Sequence, residues 1–471
     1  MENEEKRTGE IVSKKTTIFY SFAGLADAMS YQMFTFYIFN FYYTVIIGDI
    51  WLVTIGYILW SVWNAFNDPL LGTFSDRTIT KWGRRKPHII VGIIPTCILL
   101  ILLWTAPLDN PILGFIYFII IINLFDTFYT MYSLNQVSLF PEMYQDLEQR
   151  AKANNYIAIF TIIGLLFAAL LPSLFIRELI DFGSLTTRAT RQVQYVTASI
   201  IMSLLAAIFA FIFILFGIRE RKEFLKDPEL APSLGKAVKL TFKNKAFKYY
   251  VAVNFGQWYI FGLIPIINTY YLGYIINITD AFFQMMFLAL IFISAIIFMI
   301  IWRNIFTKYG AKKAHMRALG AMIIVLIPTL FIVETIGAII TYILMGFAFA
   351  GIMFGRDVVM SAIIDYDEVN TGIRREGAYY GVNALIIRLS TVAVALSLAI
   401  VFPTIGWRTY DPALVTDLTR IGIRILMCVF PSVAVGFALL LFRKFLINKE
   451  KYAEIKVKLE EIHSEKLKKV V

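Results

Sequence analysis

The sequence has 471 residues, of which 59% are apolar and 16% carry a charged side chain, with a mean hydropathy of +0.69. A soluble chain of this length needs far more polar surface, so the composition excludes a soluble globular protein and predicts an all-α protein that crosses the membrane several times. The net charge of +11 is assigned to loops on one side of the membrane rather than to a nucleic-acid partner, and two cysteines in apolar runs exclude a disulfide framework.

Apolar runs separated by polar loops predict twelve membrane-spanning helices. A hydrocarbon core of about 30 Å takes about 20 residues of helix, so a run of that length is long enough to cross. Several runs are longer, which predicts tilted helices or helices that extend beyond the lipid. The predicted spans are residues 17–47, 51–75, 88–106, 111–141, 153–177, 193–218, 247–276, 280–302, 314–334, 337–364, 377–403 and 420–443.

The distribution of Lys and Arg predicts that both termini lie in the cytoplasm. The loops after spans 2, 6 and 8 are rich in these residues, whereas those after spans 1, 3, 7 and 9 contain none. Positively charged loops face the cytoplasm in membrane proteins. The exceptions on the predicted outer side are Arg177, Arg188, Arg191, Arg408 and Arg420. We therefore expect a multi-pass protein of the plasma membrane.

Two pairs of motifs repeat at almost the same offset. KWGRRKPHIIVG at 81–92 resembles KYGAKKAHMRALG at 308–320, and the segments around Arg150 and Arg375 precede spans 5 and 11. This repetition predicts two six-helix halves in parallel duplication, the architecture of an alternating-access carrier with a site near the bilayer midplane. The predicted domains are the halves 1–218 and 247–445, a basic cytoplasmic linker 219–246, and a cytoplasmic tail 446–471 that forms a surface helix in contact with anionic lipid.

Polar side chains inside spans 2 and 4 predict a cation site. Ionisable residues in membrane helices are costly and are therefore functional candidates. Asn64 and Asp68 are four residues apart and share a helix face, and their oxygens suit a hard cation such as Na⁺. The alternative is that Asp68 only caps a helix end or forms an ion pair there. The predicted cation-binding residues are Asn64, Asn67, Asp68 and Thr130.

A second polar set is predicted to contact the substrate. Asp27 lies about 14 Å along span 1, near the midplane, and Arg388 lies about 16 Å deep in span 11. An alternative role for Asp27 is an ion pair with Arg388 that holds the halves together. The predicted substrate-binding residues are Asp27, Asp126, Ser133, Asn254, Trp258, Asn383 and Arg388.

Three motifs resemble those of a known transporter family. They are NDPLLGTFSDRTITKWGRRKP at 67–87, SLFPEMYQDLEQRAKANNY at 138–156 and DYDEVNTGIRREGAYYG at 365–381. In this order they resemble the glycoside–pentoside–hexuronide:cation symporters, a branch of the major facilitator superfamily, and the similarity covers essentially the whole chain. The resemblance implies symport of a sugar or glycoside driven by Na⁺, H⁺ or Li⁺.

The resemblance also bears on the coupling ion. Asn67, Asp68 and Thr130 match positions that bind the cation in the melibiose permease type, whereas Asn64 stands where that type has a second aspartate. A site with one carboxylate fewer is less negative, so Na⁺ coupling, H⁺ coupling through Asp68 and loss of coupling all stay open. Arg388 matches a family lysine and is predicted to neutralise a buried carboxylate on span 1, 2 or 4.

The sugar-binding pattern of the family is incomplete here. Asp27 matches an aspartate of helix 1 that binds sugar hydroxyls. Ser133, Val137 and Ala158 stand where the family has a second sugar-binding aspartate, a stacking tryptophan and an arginine. The galactoside-binding set is therefore mostly missing, and the substrate is predicted to be another glycoside or a different solute.

The charged loops predict a cytoplasmic gate. The loop after span 2 resembles the gating loop of the wider superfamily, which forms charge networks with helix ends when the carrier is open outward. The alternative is that its cations only fix orientation in the membrane. The predicted gating residues are Asp76, Arg77, Gly83, Arg84, Arg85, Arg150, Asp365, Arg374, Arg375 and Glu376.

Other functions are weighed against transport. The sequence has neither a Gly-rich phosphate loop nor a nucleophile–base arrangement, so neither ATP-driven transport nor an enzyme is expected, and no cofactor is expected besides a coupling ion, Na⁺ or H⁺. We expect a monomer in the bilayer that binds a sugar or glycoside. Two alternatives stay open: a lipid or lysolipid symporter, because animal lysolipid symporters resemble distant family members, and a membrane sensor or scaffold that does not transport.

Overall fold

The computed structural model describes residues 12–76, 78, 80, 82–144, 147–183, 186–219, 239, 241–372 and 376–470. For residues 73, 76, 141, 147–148, 150–151, 376–378 and 463–470 it describes the backbone alone. Within these ranges the chain is helical, and β structure is limited to two isolated bridges.

Six helices make up most of a first compact unit, unit 1, which covers Met1–Leu230 together with Thr279–Met286 and Arg408–Ala413. Wide π-type turns at Tyr42–Ile46 and Phe213–Gly217 extend the first and the sixth of them. The six are α1 (Lys14–Phe41), α2 (Ile50–Asp76), α3 (Lys86–Leu102), α4 (Pro111–Met143), α5 (Leu147–Ser173) and α6 (Arg188–Ile212).

The remaining helices belong largely to a second compact unit, unit 2, which covers Ala231–Ile278, Phe287–Trp407 and Leu414–Val471. The stretch Ala281–Leu326 is two helices that meet at a kink. The helices are α7 (Lys245–Tyr274), α8 (281–309), α9 (311–326), α10 (Thr335–Thr371), α11 (Glu376–Thr404), α12 (Asp417–Phe442, with a π-type turn at Ile425–Val429) and α13 (Lys449–Val470). Helices α1 to α12 match the twelve predicted spans one for one, so the predicted fold class is confirmed.

The kink between α8 and α9 lies at Gly310, which adopts φ 76° and ψ 164°. Side chains are strained at positive φ, and glycine is the residue that adopts it without cost. A Cβ at this position would also lie 2.8 Å from Cβ of Lys449. Helix α8 therefore continues well beyond residue 302, where the predicted span ends, and the basic loop predicted after it is reduced to a single non-helical glycine.

Eight stretches of described helix are long and apolar enough to cross a membrane. One of them contains both α8 and α9, and α3 is apolar but shorter. Helices α1 and α2 fall outside the eight because their Tyr, Trp, Asn and Asp side chains lower the mean hydropathy. Polar side chains in a spanning helix are costly in lipid, so these two helices are candidates for a functional role.

Helix α1 is held close to α5 and α6 by glycines. A Cβ at Gly164 of α5 would lie 2.9 Å from the carbonyl oxygen of Leu25, and one at Gly217 would lie 2.8 Å from the backbone of Phe19. A Cβ at Gly24 would lie 2.7 Å from the hydroxyl of Thr161. Small residues let membrane helices approach this closely, and the packing fixes the rotation of α1 and the direction of Asp27.

Helix α4 is fixed in the same way between α3 and α2. A Cβ at Gly92 of α3 would lie 2.6 Å from the backbone nitrogen of Tyr132, and one at Gly56 of α2 would lie 2.5 Å from the ring of Phe118. The hydroxyl of Tyr132 donates to the carbonyl of Ala23 at 3.1 Å, which ties α4 to α1 as well. These contacts bring the polar faces of α1, α2 and α4 together in unit 1.

In unit 2, α7 packs against α11 and α12. The hydroxyls of Tyr259 and Ser397 lie 2.7 Å apart, and a Cβ at Gly256 would lie 3.2 Å from the carbonyl oxygen of Ala434. The tail helix α13 packs on α10, with Ile455 and Leu459 buried. The predicted tail helix therefore lies against protein along its apolar face.

Candidate functional site

The α2–α4 interface carries a cluster of buried polar side chains. Asp126 of α4 is 1% exposed, and Asn64 and Asn67 of α2 are each 2% exposed. The amide nitrogen of Asn64 donates to Oδ1 of Asp126, and that of Asn67 donates to Oδ2 at 3.2 Å and to the Asp126 carbonyl at 3.3 Å. Both oxygens of the Asp126 carboxylate are thus held by amides from the neighbouring helix.

A second carboxylate lies one turn further along the same interface. Asp68 is half-buried, and its Oδ1 accepts a hydrogen bond from the Thr130 hydroxyl at 3.1 Å. Pro69 follows inside α2 and has no backbone N–H, so it cannot donate to the carbonyl of Ala65 as another residue would. The interface therefore combines two carboxylates, two amides, a hydroxyl and a locally interrupted backbone.

The structure brings together all four residues predicted to bind the cation. Asn64 and Asn67 contact Asp126, and Thr130 contacts Asp68. The structure also adds Asp126, which the sequence assigns to the substrate set. Helical spacing alone could not predict that Asp126 joins the cation set. Asp126 shares one face of α4 with both Thr130 and Ser133, and only the position of α2 decides that it lies beside Asn64 and Asn67.

This arrangement suits a hard monovalent cation. The Oδ1 atom of Asn64 is buried and has no hydrogen-bond partner among the described residues. Carboxylate, amide and hydroxyl oxygens are the ligands that hard cations prefer. Two carboxylates on facing helices also repel one another unless a cation or a proton is present.

Asp27 forms a separate group with α4. Its carboxylate interacts by hydrogen bonding with the side chains of Tyr129 and Ser133. Its Oδ1 atom is buried and has no hydrogen-bond partner within the described ranges. The ring of Tyr129 stacks on Tyr31 at 4.6 Å between centroids and on Phe125 at 6.1 Å. A carboxylate beside stacked aromatic rings is chemistry that binds a sugar, since hydroxyls bind the carboxylate and C–H faces bind the rings.

The sequence did not single out Tyr31 and Tyr129. Each had a usable indication in its spacing, because Tyr31 follows Asp27 by four residues and Tyr129 precedes Ser133 by four. Trp60 belongs to the same aromatic region, with its ring 5.2 Å from Phe34 and its indole nitrogen buried without a partner in the described part of the chain. The predicted residues Asp27 and Ser133 are therefore neighbours, within a more aromatic surrounding than expected.

The other predicted substrate residues lie in unit 2. Asn254 is fully buried on α7, and Asn383 is 9% exposed on α11. Trp258 is half-buried on α7, and the guanidinium of Arg356 lies 6.0 Å from its ring centroid. Arg388 lies half-buried on α11, and its pairing with a buried carboxylate stays a prediction.

In unit 1, two of the predicted gating residues contact the same carboxylate, that of Glu142. Arg84 donates to Glu142 at the end of α4 at 2.6 Å, and Arg85 reaches the same oxygen at 3.3 Å. Arg85 also donates to the hydroxyl of Ser75 at 3.0 Å. Gly83 precedes the two arginines with φ 105°, which lets the loop turn tightly. This loop is thus tied to the ends of α2 and α4.

The remaining predicted gating residues have different surroundings. Asp365 accepts from Tyr452 of α13 at 3.2 Å and forms an ion pair with Lys456 at 3.5 Å. Burial, and then the charge of Asp365, raises the pKa of Tyr452, so its phenol stays protonated and donates. Backbones alone are described for Asp76, Arg150 and Glu376. Arg77, Arg374 and Arg375 lie outside the described residues.

A family model described as "MFS/sugar transport protein" matches residues 19–449. The chain is 25% identical over 417 residues to an uncharacterized symporter of Synechocystis sp., which covers 72% of this chain and 76% of that relative. It is 22% identical over 376 residues to the isoprimeverose transporter of Lactiplantibacillus pentosus, which covers 76% of this chain and 73% of the relative. A crystal structure of the nucleoside transporter NupG superposes with a TM-score of 0.67 and 15% identity, covering 91% of this chain and all of that one.

Proposed function

We propose, because the chain belongs to the MFS/sugar transport family, that it is a secondary transporter that couples the movement of a sugar or glycoside to that of a cation. The chain is a multi-pass membrane transporter and not an enzyme. A similar chain is named an isoprimeverose transporter, which supports a sugar-bearing substrate here. The observation that carries the proposal is the pairing of carboxylates Asp68 and Asp126 with amides and a hydroxyl across α2 and α4.

The coupling ion is proposed to bind between α2 and α4. Burying an unpaired carboxylate in a membrane domain is costly, and a bound cation removes that cost. Asn64 of α2 stands where the resemblance implies an aspartate. Asp126 of α4 supplies a second carboxylate beside it. The oxygen-rich surroundings favour Na⁺, and a proton held by Asp68 is the competing choice.

The sugar is proposed to bind next to this site, at Asp27 and the aromatic rings beside it. Tyr129 and Ser133 contact Asp27 from α4, the helix that also carries Asp126 and Thr130. Binding of an ion between α2 and α4 therefore acts on the same helix that forms the sugar site. This shared helix is a physical route for coupling, since each ligand favours the position of α4 that suits the other.

The charged pairs at the end of α4 are proposed to act as a gate. The Arg84–Glu142 and Arg85–Glu142 pairs are proposed to hold the cytoplasmic ends of α2, α3 and α4 in register while the carrier changes state. The protein is proposed to work as a monomer in the plasma membrane, with both termini in the cytoplasm and Arg388 neutralising one of the buried carboxylates.

The experiment that tests the function is uptake by proteoliposomes that contain the purified chain. Labelled monosaccharides, disaccharides and isoprimeverose are offered under an imposed inward Na⁺ gradient, an inward H⁺ gradient, or neither. We expect one sugar to accumulate under one gradient and only to equilibrate without it. Absence of uptake for every sugar, with lysophospholipid uptake in its place, would contradict the proposal and favour the lipid alternative.

A further inference from the structure

Helix α7 carries a stripe of buried polar side chains near its middle. Tyr250, Asn254 and Gln257 follow one another at spacings of four and three residues, so they share one face of the helix. Each of the three is 0% exposed. Asn254 and Gln257 lie about 14 and 18 Å along the helix from Lys245, near the middle of a membrane core of about 30 Å.

None of the side-chain polar atoms of this stripe has a hydrogen-bond partner among the described residues. The atoms are the hydroxyl oxygen of Tyr250, and both the amide oxygen and the amide nitrogen of Asn254 and Gln257. The indole nitrogen of Trp258 and the amide oxygen of Asn383 are in the same condition. The large majority of buried side-chain polar atoms in proteins are hydrogen-bonded to protein or to ordered water, so such a concentration calls for a partner outside the chain.

Other buried amides of unit 2 are satisfied by the protein itself. Asn268, on the same helix and also 0% exposed, accepts from the hydroxyl of Tyr342 at 2.7 Å. Asn244, just before α7, donates to the hydroxyl of Tyr379 at 2.8 Å. The packing of this unit is therefore able to partner an amide. The unpartnered amide groups lie in the middle of α7 and at the amide oxygen of Asn383 on α11.

The chemistry of the stripe matches neutral hydroxyl groups. An amide offers a donor and an acceptor side by side, and a hydroxyl needs one of each. The guanidinium of Arg356 lies over Trp258 and forms an ion pair with Asp357 at 2.9 Å, so it brings little net charge. An anionic group on the ligand, such as a carboxylate or sulfonate, is typically bound by a guanidinium that is not already paired. The stripe offers amides instead, so it suits an uncharged group better than an anionic one.

The position also corresponds to the sugar site proposed in unit 1. The offset that separates Gly83 from Gly310 takes Asp27 to Asn254 and Tyr31 to Trp258. The first helix of each half thus has a polar residue followed one turn later by an aromatic one. In carriers built from repeats, equivalent helices line the substrate path.

We propose that Asn254 and Gln257 form a binding subsite for a neutral, hydroxyl-bearing part of the transported solute. The inference rests on the proposed sugar transport and adds a substrate class, since the part that contacts α7 is uncharged. Tyr250, on the same face of α7, borders the subsite as a further hydrogen-bonding group. Trp258 offers its ring edge and indole nitrogen beside it.

The test uses the variants Asn254→Leu and Gln257→Met in the full chain, with uptake of whichever labelled sugar the unmutated chain transports. Each variant removes one amide and adds no non-hydrogen atom to the side chain, so each is expected to raise the half-saturation concentration about tenfold or more. The melting temperature is expected to stay level or to rise, because an unpartnered buried amide is replaced by an apolar group. Asn268→Leu is the matched control: it loses the Tyr342 bond and is expected to melt lower with an unchanged half-saturation concentration.

A series of monodeoxy analogues of the same sugar adds a second readout. The unmutated chain is expected to discriminate against the analogue that lacks the contacted hydroxyl, and Asn254→Leu or Gln257→Met to lose that one discrimination. If both variants fold and keep the affinity and selectivity of the unmutated chain, the amides are hydrated core residues and the subsite is wrong. If the unmutated chain transports no sugar, the proposed function fails and this inference falls with it, so the two failures are distinguishable.

Discussion

Asp126 and Asn64 illustrate how a carboxylate and an amide share one buried site. Asn64 donates to Asp126 across the α2–α4 interface, and Asn67 holds the other carboxylate oxygen. The resemblance implies an aspartate at position 64, so this chain has its second carboxylate on the facing helix. The net charge of the site then depends on which of positions 64 and 126 carries a carboxylate, and not on either position alone.

Exchanging these two residues is a sharp test of that view. Asp126→Asn is expected to lower the apparent affinity for Na⁺ at least about tenfold, because it removes one of two carboxylates from a buried site. The double variant Asn64→Asp with Asp126→Asn returns the charge to the site from the other helix and is expected to recover most of the affinity. The measurement is sugar uptake as a function of Na⁺ concentration.

The control for the exchange is Asp109→Asn, which neutralises an exposed loop carboxylate and is expected to leave the Na⁺ dependence unchanged. Equal Na⁺ dependence in Asp126→Asn and the unmutated chain would remove Asp126 from the cation site. Failure of the double variant to improve on Asp126→Asn would mean that the geometry of α4, and not the charge count, sets the affinity.

Three of the five arginines that the sequence predicts to lie on the outer side have acidic neighbours. Arg191 forms an ion pair with Asp181 at 2.7 Å, and Arg420 forms one with Asp417 at 3.1 Å. Arg408 lies 3.7 Å from the Asp49 carboxylate, whose Oδ1 also caps α2. A count of Lys and Arg in each loop makes these three arginines exceptions to the positive-inside pattern. In the structure each of them lies beside a carboxylate that offsets its charge.

At the scale of helices, close packing at glycine sets where the polar faces point. Gly92→Ala would place a methyl group 2.6 Å from the backbone of Tyr132, which must move. Overpacking of this kind costs about 1–3 kcal/mol. We expect a lower melting temperature and weaker Na⁺ dependence, since α4 carries Asp126 and Thr130 of the proposed cation site. The measurement is thermal unfolding in detergent with uptake alongside.

Gly320→Ala is the matched control for Gly92→Ala. Gly320 lies inside helix α9 with nothing within 4 Å of the added methyl group. Alanine is about 1 kcal/mol more favourable than glycine inside a helix, so this variant is expected to be as stable as the unmutated chain or more so. A similar loss of stability in both variants would contradict a specific role for the α3–α4 contact.

The tail helix provides a second prediction at this scale. Tyr452→Phe removes the hydrogen bond to Asp365 and is expected to weaken the docking of α13 on α10 by about 1 kcal/mol. Amide hydrogen exchange in α13 is expected to become several times faster. Glu460→Gln, at an exposed position on the same helix, is the control and is expected to exchange like the unmutated chain; equal rates in all three would contradict the docking role of Tyr452.

For the whole molecule, the fold followed from the sequence because membrane insertion leaves a clear pattern. Apolar runs of about 20 residues predicted α1 to α12 one for one, since a helix satisfies its own backbone in lipid. The break between α8 and α9 was placed too early, because apolar residues end at the lipid boundary while the helix continues to Gly310.

The site was predicted less completely. Spacing along α2 and α4 predicted Asn64, Asn67, Asp68 and Thr130 as candidates. Helix rotation and neighbouring helices place Asp126 against Asn64 and Asn67, which the spacing did not predict. The contact of Asp365 with the tail depended on a helix far away in sequence, which local patterns do not encode. Long-range packing is therefore the part of the site that sequence patterns did not supply.

We propose that Asp68 couples sugar movement to a cation gradient, and the variant Asp68→Asn in proteoliposomes separates this role from sugar binding. The same vesicles are assayed for gradient-driven accumulation of the transported sugar and for exchange of internal for external labelled sugar without a gradient. We expect Asp68→Asn to lose accumulation and to retain exchange, because the proposed sugar site at Asp27 and Tyr129 is untouched. Accumulation by Asp68→Asn at the level of the unmutated chain would contradict it.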